Sequence, residues 1–83
     1  MTVNYNLEQF SSVDLYRKAV LIFHDGNLMM EHTDNEILCQ LFFIQNFYVE
    51  VIIDRKSQRV INIHGFRNGR NLDKYLSKVK LPM

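Results

Sequence analysis

Three histidines, one cysteine and nine aspartate or glutamate residues are the side chains in this 83-residue chain best suited to metal binding, acid–base work or nucleophilic attack. Their spacing does not favour a metal. His24 and His32 lie eight residues apart across a turn, His64 belongs to a later segment, and no HExxH, paired CxxC or EF-hand pattern is present. Glu50 and His64 are expected to share the mixed face of the hairpin as opposite or diagonal neighbours, a candidate acid–base pair with no third group to orient it and no recognisable pocket. Nucleophilic catalysis lacks a GxSxG elbow, and neither Ser57 nor Ser77 has a base at predictable range. The stretch Gly65-Phe66-Arg67-Asn68-Gly69-Arg70 has two glycines four residues apart, short of a dinucleotide or phosphate-binding loop. Cys39, in the apolar run ILCQLFFI, cannot form an internal disulfide, and no Lys or Arg stands between Lys18 and Arg55 in sequence to favour its thiolate. These observations predict a non-catalytic protein with no cofactor and no metal, with Cys39 as a buried, inert thiol.

The elements that must position these groups are organised around Phe47 to Phe66, two alternating apolar runs separated by Arg55, Lys56, Ser57 and Gln58. This pattern predicts a β-hairpin. Side chains alternate between the faces of a strand, so Phe47, Val49, Val51 and Ile53 share one side of the first run, while Tyr48, Glu50, Ile52 and Asp54 share the other. Ile61 and Ile63 form the apolar side of the second run, and Val60, Asn62, His64 and Phe66 the mixed side. A pairing that sets Val51 against Ile61 or Ile63 keeps the apolar sides together. Because an isolated hairpin is marginal in water, other elements must cover that side.

Segments 27–33 and 37–45 add two strands, with turn chemistry at Asp34-Asn35 and Gln45-Asn46, giving an antiparallel meander over 27–33, 37–45, 47–54 and 59–66. Upstream, an N-cap at Ser11 or Ser12 and the stripe Val13, Tyr16, Ala19, Val20 and Phe23 predict a helix over 12–24. The competing assignment is a fifth strand, favoured by the unbroken run Ala19 to Phe23 and by Asp25-Gly26. Residues 1–10 read as a loop or short extended segment whose Tyr5, Leu7 and Phe10 are available to cover a sheet edge. Downstream, Asn71 caps a short helix with the stripe Leu72, Tyr75, Leu76 and Val79, ended by Pro82. The expected fold is thus α+β, one small domain over residues 1–83, with the helices on one sheet face.

Hydrophobic content of 47% with 23% charged residues suits a soluble domain. The longest apolar stretches fall far short of the ~20 residues of a membrane-spanning helix, and the N-terminus lacks a signal-peptide pattern, so a cytoplasmic location is expected. The net charge of +1 hides an uneven distribution. Residues 1–54 hold eight acidic and two basic side chains, a net −6, whereas residues 55–83 hold eight basic and one acidic, a net +7. Two partner classes follow. Leu38, Phe42, Ile44, Tyr48, Ile52 and Phe66 are expected to form an apolar patch on the sheet face away from the helices, through which the protein self-associates or docks on another protein. The alternative is single-stranded nucleic acid, its phosphates tracked by Arg55, Lys56, Arg59, Arg67, Arg70 and Lys74 and its bases stacked on Tyr48, His64 and Phe66.

Overall fold

A computed structural model describes residues 4–67. The described chain runs α1 (Leu7–Ser12), α2 (Leu15–Asp25), β1 (Asn27–Asp34), β2 (Ile37–Ile44), β3 (Phe47–Asp54) and β4 (Arg59–Phe66), and the four strands form one antiparallel sheet in the order β1-β2-β3-β4. This is the expected α+β meander with nearly the expected strand limits. The predicted C-terminal helix lies outside the described residues.

Helix formation begins earlier than expected, because residues 7–12 are helical and not extended. Asn6 and Gln9 cap α1 reciprocally: the Gln9 backbone N–H donates to Asn6 Oδ1 at 2.8 Å, and the Asn6 N–H donates to Gln9 Oε1 at 2.9 Å. Val13 and Asp14 are extended, which breaks the predicted 12–24 helix at its start. Asp14 then caps α2, its Oδ1 accepting from the Arg17 N–H at 2.8 Å. The fifth-strand alternative is thereby corrected: Leu15 to Asp25 is α-helix. Gly26 ends it, with its N–H donating to the Ile22 carbonyl at 2.8 Å. A Cβ at Gly26 would lie 2.7 Å from that same oxygen, so the tight passage from α2 into β1 requires glycine for space.

Three turns set the register. Asn35 and Gln45 hold φ of 50° and 57° at the two-residue β1–β2 and β2–β3 turns, and Gln58 holds 59° at the end of the β3–β4 loop. In that loop Asp54 Oδ2 accepts from Ser57 Oγ at 2.7 Å, which holds the Asp54 carboxyl below its usual range.

The tight β2–β3 turn pairs Ile44 with Phe47, so even-numbered residues of β2 share a face with odd-numbered residues of β3. Two bulges modify the outer strands. Met29 is skipped between Leu28, which pairs Phe42, and Met30, which pairs Leu41. Ile61 is skipped between Val60, which pairs Ile53, and Asn62, which pairs Ile52. Each inserted residue reverses the facing pattern beyond it. Val60 therefore joins Ile63 on the face of Val51 and Ile53, whereas Ile61, expected to face the helices, is 54% exposed.

Both described helices lie on this face. Phe10 from α1 and Ile22 from α2 pack with Ile44, Phe47, Val49, Val51 and Ile63 as the main core. The Phe10 and Phe47 rings sit 5.4 Å apart, and Tyr5 meets Phe47 edge-on at 6.3 Å. Tyr5 Oη also donates to Asp25 Oδ2 at 3.0 Å, joining the start of α1 to the end of α2. Burial, reinforced by this acidic partner, pushes the Tyr5 hydroxyl up to about 12.

Candidate interaction surface

Cross-strand rows show where each chemically interesting side chain stands. On the face away from α1 and α2, one row holds His32, Cys39, Ile52 and Asn62. The next holds Met30, Leu41, Glu50 and His64, and a third holds Phe43, Tyr48 and Phe66. Glu50 and His64 are thus register partners, the opposite one of the two expected arrangements. Cys39, Leu41, Glu50 and Phe66 on this face are all buried. A concavity near the β1–β2 turn brings His32, Asp34 and Cys39 together, yet Cys39 is 5% exposed and poorly placed to attack a substrate. Among the described residues no group of three or more His, Cys, Asp or Glu could hold a metal ion.

The expected six-residue patch divides between the two faces. Tyr48, Ile52 and Phe66 do share the face away from the helices. Leu38, Phe42 and Ile44 stand on the opposite face, paired with Ile53, Val49 and Phe47. Ile44 is completely buried in the main core, and Phe42 packs against it. The physical reason is the two-residue turn: residues directly opposite in a ladder point the same way, so Ile44 must follow Phe47 into the core.

Three of the six basic residues find partners within the fold. Lys56 Nζ pairs with Glu36 at 2.8 Å, and Arg55 Nη1 donates to the Asn35 carbonyl at 3.1 Å, tying the β3–β4 loop to the β1–β2 turn. Arg67 grips both Glu8 oxygens at 3.1 and 3.2 Å. This ion pair holds the Glu8 carboxyl below its usual range. Arg59 is exposed, while Arg70 and Lys74 lie outside the described residues. In the stacking row, Phe66 lies against Tyr48 at 5.9 Å and against His64 at 5.7 Å, and it is already withdrawn from solvent.

A different apolar surface emerges on the helical side. On α2 it is Ile22 that enters the core, with Ala19 and Leu21 packed against it. The stripe Tyr16, Val20 and Phe23, expected to be the packing face, turns outward, with Tyr16 77% and Phe23 85% exposed. These residues recur at i, i+4 and i+7 and line one side of the helix. Beside them, α1 and α2 leave part of the sheet uncovered, forming a groove of about 360 Å³ lined by Phe23, Leu28, Phe42, Ile53 and Val60 among other side chains. Leu28 is 52% exposed, so the helix stripe and groove floor form one apolar surface. A signal for it was present in sequence: Leu15, Tyr16, Ala19, Val20, Leu21, Ile22 and Phe23 exceed what a single packing face requires.

No helix among the described residues is long and apolar enough to cross a membrane. Comparison of the chain with protein-family models, with curated proteins and with solved structures finds no match.

Proposed function

We propose that this protein is a small, non-catalytic protein-interaction module whose binding surface is the outer stripe of α2 together with the adjoining groove. The observation that carries this proposal is the exposure of Tyr16 and Phe23, 77% and 85%, beside a groove with an apolar floor. Two nearly bare aromatic rings impose a standing hydration cost that a partner would remove. Contiguous apolar patches of this kind mark interaction sites on soluble domains, and aromatic anchors beside a pocket are typical of interface hot spots. The groove offers little for chemistry on a small substrate, since its lining is apolar apart from Gln40.

Nucleic-acid binding has weaker support. Lys56 and Arg67 are each engaged with a carboxylate, Arg55 is engaged with a carbonyl, and Phe66 is buried within its own stack. Releasing these cations for phosphate would forfeit the contacts they already make.

The test is affinity capture from the source cell with wild-type protein and a Tyr16→Ser/Phe23→Ser variant as parallel baits. Both substitutions are at exposed positions and should preserve the far-ultraviolet circular dichroism and the melting profile. Proteins retained by the wild type and lost by the variant are the expected result. Identical retention by the two folded baits would remove this surface from consideration.

A further inference from the structure

The α2 stripe has a pattern that a second copy of the same helix would match. Tyr16 and Phe23 stand at its ends, with the smaller Val20 and, at the groove edge, half-buried Ala19 between them. Two such helices placed antiparallel about a twofold axis between positions 19 and 20 bring Tyr16 of each opposite Phe23 of the other. Ala19 then meets Val20. Large rings pair with large rings at both ends, while small residues allow the helix axes to approach at the centre. Asymmetric stripes do not map onto themselves in this way, and such self-complementarity is what an isologous contact demands.

We infer that the chain forms a twofold dimer through α2, with Tyr16–Phe23 pairs flanking an Ala19–Val20 centre. The inference rests on the proposed role of this surface in protein interaction and names its occupant as a second copy of the chain. The available area sets the expected strength. Tyr16 and Phe23 together offer roughly 250–400 Å² if aromatic side chains bury about 150–250 Å² each. Val20, Leu15, Leu28 and Val60 are 38%, 43%, 52% and 38% exposed and extend the patch. The total is on the order of 500 Å² per protomer, at the low end for specific interfaces. A weak, concentration-dependent dimer follows, instead of an obligate one.

Sedimentation equilibrium across a concentration series, on the full chain, is the primary experiment. The expected result is a reversible monomer–dimer equilibrium, weakened at least tenfold by Phe23→Ser with circular dichroism and melting unchanged. Val20→Cys supplies an independent readout. A short bismaleimide should link two copies at this near-axis position, but not at Arg17→Cys, which is rotated about 100° away from Tyr16 around the helix. Wild-type protein, whose single thiol Cys39 is buried, should remain unlinked. A monomer at every concentration would overturn the dimer, as would a dimer insensitive to Phe23→Ser and equally linked at both cysteine positions. If the monomer nevertheless retains proteins that Tyr16→Ser/Phe23→Ser loses, self-pairing fails while the broader interaction proposal survives. If it retains none, both fail.

Discussion

Substituting Gly65 by alanine tests the contact that seats α1 on the sheet. Gly65 is opposite Val49, on the face that receives Phe10. A Cβ there would fall 2.5 Å from Leu7 Cδ1 and 3.4 Å from Phe10 Cδ2. The first distance is about 1 Å inside the optimal carbon–carbon separation. Phe10 is 1% exposed and has little room to move, whereas half-buried Leu7 can rotate away only by giving up packing. Overpacking typically costs ~1–3 kcal/mol, and the reduced freedom of alanine in the unfolded chain returns ~0.4–1 kcal/mol. Because Leu7 Cδ1 is the free end of a flexible side chain, the cost lies at the low end of that range, and Gly65→Ala should destabilise by no more than about 1 kcal/mol, lowering the melting temperature by up to roughly 8 °C for a chain of this size. Thermal and urea unfolding followed by circular dichroism measure it. Leu7→Ala removes the clashing atom, so the double variant should lose less than the sum of the singles, with a coupling of about 0.5–1 kcal/mol. If the cycle were additive, the close approach of α1 to β4 would be wrong.

The β4 bulge predicts a contrast between neighbours: Ile63→Ala should cost ~2–4 kcal/mol because Ile63 is buried, whereas Ile61→Ala should stay within about 0.5 kcal/mol, as read by urea midpoints. Spectroscopic titration of the phenolate should find Tyr5 ionising near pH 12. Because its folded value is raised, its stabilising contribution is present below the unfolded value of about 10 and fades as pH rises towards 12, a loss that Tyr5→Phe should abolish. Glu8 and Asp54 have lowered values, so their contributions hold above the usual carboxyl range and are lost as pH falls below it through the lowered values; Glu8→Gln should be less stable than wild type near neutral pH, lack this loss, and converge with wild type in acid, as read by urea unfolding across pH. Labelled single-stranded DNA or RNA titrated at low salt should show no saturable, salt-sensitive binding; a steep salt slope reduced by Arg55→Gln or Arg59→Gln would revive the nucleic-acid alternative.

Strands and turns were the most legible parts of the sequence, because period-two alternation and Asp34-Asn35, Gln45-Asn46 and the 55–58 loop mark them directly. Face assignment was less legible. It depends on counting across a turn, and a two-residue connection at Gln45-Asn46 reverses the odd–even rule between β2 and β3, which sent Phe42 and Ile44 inward. Bulges at Met29 and Ile61 were invisible because each is an apolar residue next to another apolar residue, leaving no break in composition. Helix α1 has six residues, too few for a periodic stripe, although Asn6 and Gln9 have the spacing of a capping box. The candidate surface was missed for a related reason: α2 has apolar residues on more than one side, and periodicity alone does not say which side meets the sheet.

The positions of the two bulges also bear on how copies of this chain can avoid aggregation. Among the described residues β1 and β4 are the outermost strands, and the unpaired backbone groups along such strands can template open-ended edge-to-edge pairing between copies. A skipped residue in each strand interrupts the regular ladder and increases local twist, so neither rim offers a long, flat register to an incoming strand. Deleting Met29 or Ile61 would remove the bulge while leaving the paired residues on the faces they already occupy, and so would give the rim a straighter, newly regular border. Fibril growth by such deletion variants, monitored by thioflavin fluorescence, would reveal a protective role for these two irregularities that the stability of the folded monomer does not measure.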